Sequence, residues 1–297
     1  MSISGEKQRN HQETLAQLSP SSTFQTRTKV SHSHKHHKLV DLHDFSENVP
    51  DDRACKLHSH QVLFASSRFT SCCSSHYLAL VVGLIFLVLA VFAHRRNPKS
   101  KTSRITLQIL IWGNLLAIFH TSGSHYFSGK TKDLEFILPL HLCDLTALVA
   151  TAALITRKPL FCELTYYLGL GGTLQGLITP NLFYDFPHPT YFSFFQLHLF
   201  VVIAALFLPL ATGWRPRSPL PKTMLRTFLI ICSYLLIIYG VNTALDTNYA
   251  FLMHKPRNPS LYDHLGPHPY YILSVLGLVI MMLMVLSLPF ARKKANS

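Results

Sequence analysis

The stretch HRRNPKSKTSR, His94 to Arg104, carries five Lys/Arg and separates two uninterrupted apolar runs, 76–93 and 105–122. An apolar run of roughly 18 residues or more, with few charges, is long enough to cross a bilayer as a helix. Neither run alternates polar and apolar residues, so a transmembrane barrel strand does not fit. In lipid every backbone donor and acceptor must be paired within the protein, and a continuous apolar run does that as a helix. Reading outward from this loop predicts seven spans, at 76–93, 105–122, 134–156, 160–179, 190–210, 223–245 and 270–290.

Composition agrees with that reading. The chain of 297 residues is 48% hydrophobic and 14% charged, with mean hydropathy +0.24. A soluble domain carries about 25% charged residues. The expected organisation is a polar, His-rich, disordered tail over 1–75, a seven-helix membrane domain over 76–291, and a basic tail over 292–297. No apolar stretch resembling a signal peptide precedes residue 76.

The formal charge of +13 would suggest nucleic acid in a soluble protein, but the Lys and Arg sit mostly in short loops. The loops after spans one, three and five, with the C-terminal tail, hold 13 of them. The opposite loops hold four: Lys130, Lys132, Lys255 and Arg257. Positive charge stays on the cytoplasmic side, so the expected C-terminus is cytoplasmic. No nucleic-acid role is expected. The tract SHSHKHHK, Ser31 to Lys38, clusters four histidines, and composition alone reads it as tail rather than metal site. The six cysteines, Cys55, Cys72, Cys73, Cys143, Cys162 and Cys232, show neither metal-ligand spacing nor a disulfide framework.

Polar groups inside the spans mark candidate sites. The octet LPLHLCDL, Leu138 to Leu145, sets His141, Cys143 and Asp144 in a membrane segment. At about 1.5 Å per residue, a continuous third span places them about 10 to 15 Å deep. An ionised Asp at a span centre costs about 2.5–3.5 kcal/mol, so Asp144 needs a partner. His141, three residues earlier, would face the same side and could form a side-chain pair with it. Such a pair is either helix glue or a functional group. Cys143 would point away from His141, so its base must come from another helix. His198 in the fifth span matches it in depth, with His120 second. A thiol needs a nearby base or cation to ionise at neutral pH.

His120, Gln175, Gln196, Asn242 and Asp246 fall in the same half of the bundle and are candidate substrate contacts. Asn242 and Asp246, four apart, would share a face. Glu163 is the exception in the other half, expected to pair with Arg157 and Lys158. His120, His141, His198 and Asp144 could form a zinc set, but no H-E-x-x-H-like motif supports it, so no metal and no cofactor is expected. In ELTYYLGLGGTLQGLITPNL, Gly172 and Gly176 form a G-x-x-x-G that reads as close helix packing. The loop NYAFLMHKPRNPSLYDHLGPHPYY is long enough to fold over the mouth of the bundle as a lid.

LPLHLCDL, the Gly-rich segment, FPHPTYFSFFQLH and NPSLYDHLGPHPYYIL together resemble the YwaF family of integral membrane proteins over about residues 77–290. That family is similar in turn to multi-pass membrane lipid acyltransferases with a cysteine centre. The resemblance implies Cys143 as acyl carrier, a histidine as its base, and membrane phospholipid as partner, with the oligomeric state open. The alternative is a transporter or small-solute-binding protein with His141–Asp144 as its coupling site.

Overall fold

Residues 69–291, apart from 71–72, 128–133, 257 and 259, are described by a computed structural model. The His-rich tract, most of the predicted tail, Lys130, Lys132, Arg257 and the basic tail over 292–297 lie outside the described residues. The described residues all fall within the unit Ser59–Ser297.

The chain is a helical membrane bundle. Six segments are long and apolar enough to cross a membrane among the described residues. They are α1 (Ser74–Arg96), α2 (Lys101–Phe127), the α3/α4 pair (Leu134–Ile137 and Leu142–Thr156), α7 (Pro189–Thr212), α8 (Leu220–Leu245) and α9 (Tyr270–Ala291). The predicted fourth span is helical throughout but not uniform. α5 (Pro159–Leu168) passes into a π-helical turn (Gly169–Thr173) and then α6 (Leu174–Ile178).

Local chemistry sets these boundaries. Pro159 and Pro189 occupy first turns, where a missing N–H costs nothing. α7 ends on Gly213 at φ +68°, a left-handed conformation that suits glycine. α7 is the central helix: Phe207, Leu208 and Val201 are fully or nearly fully buried. It lies close to α2, where a Cβ on Gly113 would stand 1.9 Å from the Phe200 ring. Asn114 beside it donates to the carbonyls of Leu110 (2.8 Å) and Phe200 (3.3 Å).

The outer helices carry the membrane signature. Leu78 on α1 is 63% exposed, Leu236 on α8 73% and Leu273 on α9 68%. Aliphatic surface on that scale is stable against lipid and costly against water.

Glu163 departs from expectation. It is fully buried, and its partners are Arg217 and Arg226 rather than Arg157 and Lys158. The Arg217 guanidinium donates to both carboxylate oxygens at 3.1 Å, and the Arg217 backbone N–H adds a third bond at 3.0 Å. These bonds raise the Arg217 pKa further, keeping that side chain charged. Sequence proximity misled here. Glu163 lies a full turn inside α5, and the α7–α8 loop folds back over it.

Candidate functional site

LPLHLCDL is not part of one continuous helix. Pro139 lacks an N–H and its ring clashes with a preceding turn, so α3 stops at Ile137 and α4 starts at Leu142. His141 is therefore the extended N-cap residue of α4, at φ −72° and ψ 155°. Two expectations fail for this reason. Depth cannot be counted at one helical rise across the break. Nor does the helical rotation between His141 and Cys143 apply, and both residues line one cavity.

The expected His141–Asp144 side-chain pair is also different in kind. Asp144 is buried, and its Oδ2 accepts from the backbone N–H of His141 at 3.0 Å. The carboxylate thus caps the helix entry, where negative charge is favoured by the helix dipole. The His141 ring packs edge-on against Tyr249, centroids 5.2 Å apart, and against Phe251 at 5.9 Å. Cys143 sits in the first turn of α4.

His198 comes from α7. Its ring stacks on Phe194 at 4.1 Å, and Nδ1 lies 2.8 Å from the Phe194 carbonyl oxygen. A carbonyl only accepts, so Nδ1 carries the hydrogen and the neutral ring keeps its lone pair on Nε2. That edge faces α6: a Cβ on Gly176 would stand 2.7 Å from Nε2. Gly176 therefore makes room for an imidazole, which the G-x-x-x-G reading as helix packing did not foresee.

The shared cavity has a volume of about 600 Å³. His141, Cys143, Asp144, Gln175, His198 and Asp246 all line it. Three expected contacts do not. His120 donates through Nδ1 to Gln196 Oε1 at 2.7 Å, and Gln196 Nε2 donates to the Gly113 carbonyl at 3.3 Å. These two side chains tie α2 to α7. Asn242 is a turn lock: its Oδ1 accepts from the Tyr249 N–H (2.8 Å) and the Thr247 hydroxyl (3.0 Å), and its Nδ2 donates to the Tyr249 carbonyl (3.0 Å). Asp246 ends α8 in a left-handed conformation, φ 52°, so it leaves the helical face of Asn242. Among the described residues no group of three or more His, Cys, Asp or Glu side chains is arranged to hold a metal ion.

The loop expected to fold over the mouth contributes described residues between 247 and 265 to the cavity lining, through two short 3-10 turns, Tyr249–Phe251 and Leu261–His264. Asn248 organises it by accepting from the Met253 and His254 backbone N–H groups at 2.9 and 3.1 Å. Asn258 joins it to the α6–α7 loop by donating to the Leu182 carbonyl at 3.1 Å. Burial pushes the phenols of Tyr249 and Tyr262 up to about 12, helped by Glu135 and Asp144 near the first and Tyr271 near the second. Both stay neutral at physiological pH. Apolar side chains of α9, including Val275, Val279 and Met282, also line the cavity. Sequence reasoning missed Glu135, Thr173 and Lys255 as lining residues. Only the Pro- and aromatic-rich lid composition hinted at the last of these.

A family model described as the TMEM164 family matches residues 69–287, which takes in every helix from α1 to most of α9. The chain belongs to the TMEM164 family. This corrects the resemblance to the YwaF family, because the matching model is that of a different family. The inference that the YwaF likeness made about acyltransferases falls with it. No curated protein and no solved structure matches the chain. For this TMEM164 family member, the chemistry of the site rests on its own geometry.

Proposed function

We propose that this protein is a membrane enzyme of acyl transfer acting on phospholipid esters, with Cys143 as nucleophile and His198 as base. One observation carries the reading: Cys143 and a histidine fixed in the Nε2-basic tautomer line the same membrane-embedded cavity. A nucleophile activated by a positioned base in a mostly apolar cleft is the arrangement such chemistry needs. Burial disfavours a free thiolate there, so the thiol proton must pass to a base as sulfur attacks.

The steps balance within that cavity. The Cys143 thiol attacks the ester carbonyl carbon of a phospholipid while its proton passes to His198 Nε2. The ester C–O bond breaks, the departing lysophospholipid oxygen takes that proton, and the acyl group is left as a thioester on sulfur. The hydroxyl of a second lysophospholipid, its proton taken by His198, then attacks the thioester. The sulfur leaves and regains the proton. The apolar face of α9 suits the acyl chain, and the polar lid suits the headgroup.

Proteoliposomes carrying the full chain test this through exchange of labelled acyl groups between phospholipids. Loss of the base costs about 10²- to 10⁴-fold, so His198→Ala and Cys143→Ala should both lose exchange while folding normally. Exchange that persists in Cys143→Ala removes that residue from the mechanism. No exchange by the unmodified protein, with proton-driven solute uptake that depends on Asp144, would favour a transporter instead. We also infer that the protein lies in the cell membrane with its C-terminus in the cytoplasm, from the excess of Lys and Arg in alternate loops. A C-terminal tag accessible to antibody on intact cells would overturn that orientation.

A further inference from the structure

We infer that the Thr173 hydroxyl is a ligand-binding group of the cavity, donating a hydrogen bond to an ester carbonyl oxygen of bound phospholipid. This rests on the acyl-transfer reading for the identity of the ester. It rests on the fold for the group itself.

Several helical threonines elsewhere in the bundle bond back to their own helix. Thr121, Thr146, Thr151, Thr165 and Thr212 each donate their hydroxyl to the carbonyl four residues back. That bond is the usual solution for a threonine with no polar neighbour. Thr173 does not make it. It ends the π-helical turn, where the Leu174 N–H reaches back five residues to the Gly169 carbonyl. The Thr173 side chain is 4% exposed, and its oxygen has no protein partner. Yet it lines the cavity that holds Cys143 and His198. Thr227 is also buried without a partner, but it is not among the residues lining that cavity.

A buried hydroxyl left unpaired is costly, and native proteins pair nearly all such groups. π turns recur at functional sites because they displace one residue from the helical register. Here the displaced residue stands on the cavity wall with its hydroxyl unpaired. In an apolar cavity, the group on a phospholipid best matched to one neutral donor at acyl depth is the ester carbonyl. The headgroup phosphate belongs at the lid end, with Lys255. A donor on that carbonyl oxygen would also hold the negative charge that develops when sulfur attacks.

The test uses the full chain in detergent micelles and follows maleimide labelling of Cys143 by peptide mass spectrometry. Two probes compete for the site: a short-chain diacyl phosphatidylcholine, and its dialkyl ether analogue, which lacks ester carbonyls. One neutral hydrogen bond corresponds to about a three- to tenfold preference. The unmodified protein and Thr173→Ser should be protected that much better by the diacyl lipid. Thr173→Val, nearly the same shape, should bind both probes alike. A preference that survives in Thr173→Val, or is absent from the unmodified protein, overturns the inference. If the preference depends on Thr173 but Cys143→Ala still exchanges acyl groups, the Thr173 site stands and the Cys143 mechanism falls. If neither lipid protects Cys143, both fall.

Discussion

Gly176→Ala tests whether the position of one imidazole controls the chemistry. The added Cβ would stand 2.6 Å from His198 Cδ2 and 2.7 Å from Nε2. Ordinary carbon contacts lie near 3.5–4.0 Å, so the ring must shift by about 1 Å. It cannot slide freely, because Phe194 stacks on its face at 4.1 Å and the Phe194 carbonyl holds Nδ1 at 2.8 Å. The shift therefore moves Nε2 relative to the Cys143 sulfur. A displacement of about 1 Å in a reacting group costs on the order of 10²-fold in rate. Stability should change little. Overpacking costs about 1–3 kcal/mol, and replacing a helical glycine by alanine returns up to about 1 kcal/mol. Acyl exchange in proteoliposomes, read beside thermal unfolding of the same sample, separates the two effects. Gly172→Ala is the control, since its Cβ would meet only Leu142 Cδ2, at 3.4 Å. Full exchange by a folded Gly176→Ala protein would refute the role given to the His198 edge.

Three further outcomes follow from the same geometry. Glu163→Ala removes the buried carboxylate that ties Arg217 and Arg226 to α5 and should destabilise the bundle by about 1.5–3 kcal/mol, seen as a lower Tm in detergent; an unchanged Tm would remove Glu163 as a lock. Asn242→Ala removes three hydrogen bonds at the α8 end and should cost about 1.5–4 kcal/mol, with faster proteolysis between residues 247 and 265. Asn248→Ala loosens the lid without touching the thiol. It should speed maleimide labelling of Cys143 with little change in Tm, and equal labelling rates would show that the lid does not limit access.

The bundle was legible because lipid imposes one rule on every span, and the apolar runs report it directly. The predicted segments are helical near their expected ends, except that the third breaks at 138–141, and the fourth is not among the six segments long and apolar enough to cross a membrane. That 141, 143, 144 and 198 line one cavity did not follow from depth, because the depth count assumed a helix unbroken at Pro139. Pro139 was in plain view, and reading it as a break would have placed His141 outside the helix and restored its side of the bundle to Cys143. Glu163 chose partners more than fifty residues away, which no local charge pattern reveals. His120, Gln196 and Asn242 looked like site residues because buried polar groups in a membrane look alike until their partners are known. The π turn was signalled only by clustered glycines, which fit close packing equally well.

The most direct measurement is of the sulfur itself. Full-length protein in phospholipid vesicles is quenched in acid, digested, and the Cys143 peptide weighed. The account predicts a fatty acyl mass on Cys143, removed by neutral hydroxylamine and absent from Cys162 and Cys232. An unmodified Cys143 in a preparation that is actively exchanging acyl groups would contradict it.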